Sequence, residues 1–226
     1  MMNFETVVRH YWPKALRNIK EDPKELERDQ EAIKAVTDRQ LPISKRRDDL
    51  RKWLWFYRVL QGLTTDEGLK IAGAVLGWAD DDRNRGRNLT TAEALAAAHA
   101  ELMKVVCQAY GNGHAFTSLA SKALWLCYPE SVPMFDGRTR NALYVISKIE
   151  NGINPIAEKT PESKKTPEYE QFVHVWKQLY SKCKETIENL DIGDYPYRVR
   201  VFDRILWLIG GPFYQTDWTS PSSTQS

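Results

Sequence analysis

Hydrophobic residues recur along most of this chain at the three- and four-residue spacing of amphipathic helices. Such stripes predict helices at 50–63, 116–127, 137–149, 166–183 and 197–209. No stretch alternates Val, Ile and Thr as a half-buried strand would. The predicted fold class is therefore mainly α, a helical bundle of two packed lobes.

Turn and capping signals add further helix boundaries to these stripes. Two helices are expected between residues 3 and 39, divided at Asp22-Pro23, because proline suits the first turn of a helix. The segments 64–67 and 90–93 both match the capping box, in which threonine and glutamate satisfy free helix N–H groups reciprocally. These signals predict two more helices before residue 110.

The domain organisation follows from loops and composition. A hydrophobic fraction of 42% over 226 residues can bury one large core or two closely packed lobes. We predict a single all-α domain spanning 1–226, with lobes of about 1–88 plus 166–212 and of 89–151. The polar segment 152–166 has two prolines and no periodicity, which predicts a loop, and 213–226 is expected to form a flexible tail.

Charge and cysteine usage exclude several classes of function. The formal charge is only +2, so contact with nucleic acid must come from local patches rather than from a global field. Cys107, Cys127 and Cys183 show no C-x-x-C spacing, and we predict no disulfide framework, no metal and no cofactor. No apolar stretch has the length of a signal peptide or membrane span, which predicts a cytoplasmic protein without membrane contact.

Turn residues, a helix and ionisable groups meet between Tyr110 and Leu143, in YGNGHAFTSLASKALWLCYPESVPMFDGRTRNAL. Gly111 and Gly113 predict a tight turn, since glycine accepts the positive φ angles that other residues resist. The helix that follows ends at a proline, and a Val-Pro turn brings Asp136 to the start of the next helix. The pattern predicts a carboxylate at a helix N-terminus, close to a glycine turn.

This order of a glycine hairpin, a helix with a lysine, Val-Pro-x-x-Asp and a basic helix resembles the helix-hairpin-helix DNA glycosylases. The resemblance is to the 8-oxoguanine DNA glycosylase branch and its short bacterial relatives. In that superfamily the hairpin holds DNA phosphates through backbone N–H groups, and the aspartate is essential for base excision. The resemblance therefore implies Asp136 as the catalytic carboxylate and Gly111 and Gly113 as hairpin residues that contact DNA. Asn112 and His114 lie in the same turn and are assigned to DNA contact with them, and His114 has a second interpretation as a residue that stabilises the turn.

The lysine departs from the pattern of that family. In members with lyase activity a nucleophilic lysine follows the hairpin almost immediately, whereas the first lysine here is Lys122. The resemblance implies Lys122 as the Schiff-base candidate, whose imine with the sugar would add an AP-lyase step of strand cleavage to base excision. A helical wheel places it with Ser118 and Trp125, away from the apolar stripe, so a solvated helix face is the other interpretation. Asp136 likewise has a structural interpretation as a helix N-cap, and one residue can do both.

Further residues are assigned around this carboxylate. Arg138 and Arg140 follow it and would contact phosphates on either side of an extruded nucleotide, because the target atoms are inaccessible inside the base stack. We assign Phe116, Trp125 and Phe135 to the pocket for the extruded base.

An aromatic and basic run precedes this region, with Trp53, Trp55 and Phe56 following several lysines and arginines. One interpretation is a nucleic-acid surface, because arginine reaches phosphates and aromatic rings stack on unpaired bases. The other is a core helix with a charged start, since aromatic residues at helical spacing usually pack inside.

We therefore expect a monomeric DNA glycosylase that flips a damaged or hypermodified base out of DNA and cleaves its glycosidic bond. Asp136 would stabilise the positive charge that develops on the sugar. The motif does not name the base, and a hypermodified base of phage DNA, removed as a defence, stands beside 8-oxoguanine. Two alternatives remain: a non-catalytic DNA-binding module that kept the hairpin, and an all-α interaction domain with Trp53 and Trp55 as partner contacts.

Overall fold

The computed structural model describes residues 3–21, 24–111, 116–154 and 168–211. In these ranges the regular structure consists of α-helices and a short 3₁₀-helix, and there is no strand. The helices are α1 Phe4–Glu21, α2 Glu25–Thr37, α3 Ile43–Phe56, α4 Thr65–Asp80, α5 Ala92–Tyr110, α6 Thr117–Cys127, α7 Gly137–Ile149, α8 Glu168–Lys182, α9 Lys184–Asn189 and α10 Arg198–Ile209. The mainly α class predicted from the hydrophobic pattern is confirmed. Within the described ranges, none of the helices combines the length and hydropathy that crossing a bilayer requires.

The chain divides into two compact units. The terminal unit consists of residues 1–17 and 136–226, and the central unit of residues 18–135. In the central unit α4 packs against α3 and α5, and α6 packs against α2, α3 and α5. These contacts join segments on both sides of residue 88, whereas the sequence-based division placed a lobe boundary there. The predicted break at 22–23 and most of the predicted loop and tail lie outside the described residues.

Buried polar groups hold the first helices of the central unit together. Asp29 of α2 is fully buried and accepts hydrogen bonds from Trp53 Nε1 at 2.8 Å and Tyr57 Oη at 3.0 Å. Arg46 of α3 is also buried and donates to both carboxylate oxygens of Asp80 at 2.8 and 2.9 Å. Since a buried charge without partners costs several kcal/mol, about 3–5 when one partner is removed, these bonds restrict how α2, α3 and α4 can pack.

The predicted capping residues are confirmed at one helix and displaced by one position at another. Thr64 and Glu67 form the predicted capping box at the start of α4. At α5 the N-cap is Thr91, whose hydroxyl accepts from Ala94 N–H at 3.1 Å, rather than the predicted Thr90. Thr91 is followed by Ala94 rather than a glutamate at the third position, so this helix is capped by a threonine hydroxyl without a capping box.

A buried histidine connects α5 to α6. His99 is 3% exposed, and its Nε2 lies 3.0 Å from the carbonyl oxygen of Thr117. Burial lowers the pKa of His99 to about 4, so the ring is neutral near pH 7. A neutral ring at this position avoids an uncompensated charge inside the central unit.

In the terminal unit the end of α10 approaches the start of α7 very closely. A Cβ atom on Gly210 would lie 1.9 Å from the carbonyl oxygen of Arg138 and 3.2 Å from the backbone nitrogen of Ala142. Only a residue without a side chain permits this distance. The core of the terminal unit includes Trp176, whose Nε1 donates to Asp203 at 2.7 Å.

We expect Gly210→Ala to lower the free energy of unfolding by about 1–3 kcal/mol, because the new methyl group meets backbone that cannot rotate away. Urea titration followed by circular dichroism measures the change. Gly137→Ala is the matched control, because a Cβ atom there meets nothing within 4 Å. Equal effects of the two substitutions would contradict the close contact between α10 and α7.

Candidate functional site

The predicted glycine turn begins where α5 ends. Gly111 is the residue after α5 and has a φ angle of +79°, and its N–H donates to the carbonyl oxygen of Cys107 at 3.0 Å. The positive φ predicted for this glycine is confirmed. Asn112, Gly113 and His114, the other residues assigned to DNA contact through the hairpin, lie outside the described residues.

Helix α6 is buried on all sides over most of its length. Every residue from Leu119 to Leu126 is buried, including Lys122, which is 6% exposed. The interpretation of Lys122 as part of a solvated helix face is therefore wrong. The helical wheel failed here because α6 packs against α2, α3 and α5, and leaves no face to solvent.

Three polar side chains of α6 bind the backbone of Phe135, and we call this arrangement the Phe135 clamp. Ser121 Oγ accepts a hydrogen bond from the Phe135 N–H at 3.0 Å. The Phe135 carbonyl oxygen accepts from Ser118 Oγ at 3.0 Å and from Lys122 Nζ at 3.2 Å. Lys122 Nζ also donates to Ser118 Oγ at 2.7 Å, so the serine and the lysine act together.

The clamp supplies the hydrogen-bond partners that a helix or strand would otherwise provide for the backbone groups of Phe135. Phe135 lies between α6 and α7, is 8% exposed, and belongs to neither helix. A buried peptide group without a partner costs about 1–3 kcal/mol, so its N–H and carbonyl need side-chain partners. Ser118 and Ser121 were not assigned from the sequence, although their S-x-x-S-K spacing with Lys122 places all three on neighbouring turns of one helix.

Asp136 caps α7, as its position before a helix predicts. Its Oδ1 accepts hydrogen bonds from the N–H groups of Arg138 at 2.8 Å and Thr139 at 2.9 Å. In return, the Asp136 N–H donates to Thr139 Oγ1 at 3.0 Å, which completes a capping box. Its Oδ2 makes no hydrogen bond or ion pair with any residue in the described ranges. The half-buried carboxylate is thus held through one oxygen, and the other remains available.

Lys122 and Asp136 belong to different compact units, the first to the central unit and the second to the terminal unit. The peptide bond between Phe135 and Asp136 connects them along the chain. The clamp therefore holds the residue immediately before the carboxylate.

The two arginines after the carboxylate have different surroundings. Arg138 is exposed, and its guanidinium carbon lies 4.2 Å from the ring centroid of Trp207. Arg140 Nε lies 2.8 Å from a carboxylate oxygen of Glu168, and its side chain is only 15% exposed. A cation on an aromatic face keeps its edge donors for other groups, so Arg138 is the better placed of the two for a phosphate.

The three rings assigned to a base pocket have known contacts within the central unit. Phe116 packs edge-on against Tyr110, with ring centroids 5.3 Å apart. Trp125 is 0% exposed and stacks on Trp53 at 6.0 Å, so its faces are covered in this conformation. Phe135 is held through its backbone by the clamp. The assignment of these rings to a base pocket stays a prediction.

A cavity of about 210 Å³ lies elsewhere in the central unit, near the ends of α2, α4 and α6. Cys127 and Tyr128 are among its lining residues, and neither Phe135 nor Lys122 is. Burial raises the pKa of the Cys127 thiol to about 12, so this sulfur stays protonated and is a poor nucleophile. The chemistry of this chain is therefore not expected to depend on a thiolate at this cavity.

We expect Ser121→Ala to destabilise the central unit by about 1–3 kcal/mol, because the buried N–H of Phe135 loses its acceptor. Thermal and urea unfolding measure the change. Thr37→Ala is the control, since its hydroxyl donates to the Ile33 carbonyl on an exposed helix face, and its effect should stay within about 0.5 kcal/mol. A Ser121→Ala variant as stable as the control would show that the clamp contributes nothing to folding.

Comparison with known proteins adds no support to the resemblance to the DNA glycosylases. No protein-family profile, no curated protein and no solved structure matches it. The likeness to the helix-hairpin-helix DNA glycosylases therefore depends on residues 110–143, of which the described part contains a glycine-terminated helix, a clamped turn and a capping aspartate. A function for this chain is accordingly a proposal from its own residues.

Proposed function

We propose that this protein is a DNA glycosylase that removes a damaged or hypermodified base, with Asp136 as its catalytic carboxylate. The proposal rests on one observation above the others: Asp136 is anchored through Oδ1 by two backbone N–H groups, while Oδ2 has no partner in the described ranges. A carboxylate held in this way keeps its direction without using its second oxygen.

The chemistry requires such a group. When the bond between C1′ and the base nitrogen breaks, the base leaves with the electron pair and the sugar becomes positively charged. A fixed negative charge near C1′ stabilises that sugar more than it stabilises the intact nucleotide, which lowers the barrier. Attack by water on C1′ and loss of its proton then complete the hydrolysis, and the departing base takes up a proton.

The surroundings of Lys122 favour a supporting role for this residue. An amine attacks carbon through its lone pair, so it must be deprotonated and able to reach that carbon. Lys122 is only 6% exposed, and its Nζ donates to Ser118 Oγ and to the Phe135 carbonyl oxygen, so the amine is directed at the turn before Asp136. We infer that Lys122 holds the turn before Asp136 and that activated water, rather than this lysine, attacks the sugar.

A second function is favoured by the same contacts. Oδ1 of Asp136 and the amine of Lys122 both make hydrogen bonds that stabilise local structure. A DNA-binding module that retains the fold without chemistry would keep these bonds. It would bind DNA with strong salt dependence and release no base.

We expect the wild-type protein to release a base from at least one member of a panel of oligonucleotides with oxidised, alkylated and hypermodified bases. Asp136→Asn should slow single-turnover release by about 100-fold or more, because the charge is lost. Asparagine is as good an N-cap as aspartate, so the fold should persist. Alkali cleavage of the abasic product, resolved on a denaturing gel, measures the rate.

The matched control for that substitution is Asp191→Asn. Asp191 lies in the same unit, and its Oδ1 also accepts a local backbone hydrogen bond, from Gly193 N–H at 2.7 Å. The Asp191→Asn substitution should leave the rate of base release unchanged. DNA binding without release of any base would support the non-catalytic module, and equal rates for wild type and Asp136→Asn would remove Asp136 from the mechanism.

For Lys122 we expect base release without a covalent intermediate. Borohydride reduces an imine to a stable bond, so a protein–DNA adduct on a denaturing gel reports a lysine nucleophile. Wild type and the exposed-lysine control Lys104→Met should both give no adduct, with a known bifunctional glycosylase as the positive control. An adduct that maps to Lys122 by mass spectrometry, and disappears in Lys122→Met, would show that this lysine is the nucleophile.

A further inference from the structure

The aromatic residues at the end of α3 lie partly in the core and partly on the surface. Trp53 and Leu54 are buried, at 2% and 0% exposure. The next two residues are not, since Trp55 is 67% exposed and Phe56 is 36% exposed. Neighbouring helical residues point about 100° apart, so one helix end can bury one pair and present the other to solvent.

Trp55 has no structural task that explains its size. Its side chain makes no hydrogen bond and no ring contact with a residue in the described ranges. An exposed indole offers a large rigid face, and in proteins such faces are characteristic of binding surfaces. Phe56 extends the apolar area beside it.

Next to these rings along the chain, the charged side chains are all basic. Residues 51–65 include Arg51, Lys52 and Arg58 and contain no carboxylate. A further cation comes from α2, because the guanidinium carbon of Arg28 lies 3.8 Å from the ring centroid of Phe56. Arg51 and Lys52 pair with Asp48 on the helix surface, and exposed pairs of this kind are weak enough to exchange for another anion.

Arg58 is held in an unfavourable backbone conformation. Its φ angle is +57°, and it is the only residue other than glycine with a positive φ in the described ranges. Its N–H donates to the Trp55 carbonyl oxygen at 2.9 Å, which closes the helix in the manner usual for glycine. The guanidinium makes no ion pair with a described residue. An arginine at a position that favours glycine indicates that its positive charge binds a partner.

We propose that Trp55, Phe56, Arg28 and Arg58 form a binding surface for single-stranded nucleic acid. An unpaired base would stack on the Trp55 indole, and Arg58 and Lys52 would contact the phosphates on either side. Stacking requires an unpaired base, because the faces of paired bases are covered by their neighbours in a duplex. The surface lies wholly within the central unit and does not depend on Asp136 or on base excision.

The charge pattern supports this partner. Cations flank the exposed rings on both sides along the chain, at Arg51 and Lys52 before them and at Arg58 after them, where phosphates on either side of a stacked base would lie. Exposed aromatic faces beside positively charged side chains are the usual features of single-strand binding surfaces.

The test is fluorescence anisotropy with a labelled 20-nucleotide oligothymidine, and with a 20-base-pair duplex as the comparison. We expect tighter binding of the single strand by the wild-type protein. Trp55→Ala should weaken that binding by about 5- to 150-fold, the range measured for loss of one stacked base. Ile43→Ala is the matched control, because Ile43 is a 49% exposed residue at the other end of α3. It should leave binding unchanged.

Arg58→Gly separates binding from folding. Glycine accepts the positive φ, so the variant should melt at a higher temperature than wild type while it binds the single strand more weakly. The slope of log affinity against log salt concentration should fall by about 0.7, the value for one lost phosphate contact on a single strand. A lower melting temperature together with unchanged binding would overturn the role of Arg58.

Three results would overturn the proposal as a whole. They are equal affinity of the wild type for single strand and duplex, unchanged binding by Trp55→Ala, and no binding of either probe at low salt. If sedimentation shows a dimer that Trp55→Ala dissociates, the surface is a contact between two copies of this chain instead. None of these results bears on base release, which the Asp136→Asn comparison tests separately.

Discussion

Phe135 lies in an irregular segment where its peptide groups have no helical partners, and side chains of α6 supply them. Ser121 accepts from its N–H, and Ser118 and Lys122 donate to its carbonyl oxygen. The next residue, Asp136, starts α7 by accepting hydrogen bonds from the first free N–H groups of that helix. The residue immediately before this helix cap is thus held by two serines and a lysine, which together satisfy one buried peptide group.

Buried polar groups that pair with aromatic side chains recur in both units. Asp29 accepts from Trp53 in the central unit, and Asp203 accepts from Trp176 in the terminal unit. In each case a large ring packs in the core while its one polar atom is satisfied by a carboxylate from a distant part of the chain. Such pairs restrict the packing to one arrangement, because any shift leaves a charge and an N–H group unpaired. Trp55 differs from these residues, since its ring remains in solvent.

Local signals predicted much of the fold and part of the candidate site. The positive φ of Gly111 and the capping role of Asp136 follow from interactions within a few residues, and the structure agrees with both. Most of the helical stripes agree as well, but the helix predicted at 50–63 is wrong in its bounds, since α3 begins at Ile43 and ends at Phe56. The resemblance to glycosylases drew attention to Lys122, but its burial was not predicted. A helical wheel assumes one solvated face, and that assumption does not hold for a helix with neighbours on every side.

The sequence by itself determined that the chain forms an α-helical protein, where several of its helices lie, and which aspartate stands at a helix start. Only the tertiary structure decided that Lys122 is buried and hydrogen-bonded, that Arg140 pairs with Glu168, and that Trp53 is covered while Trp55 is exposed. The reason is the separation along the chain between the residues that interact. A cap or a stripe involves residues up to four apart, whereas burial and pairing depend on elements brought together by folding, as Arg46 and Asp80 are across 34 positions.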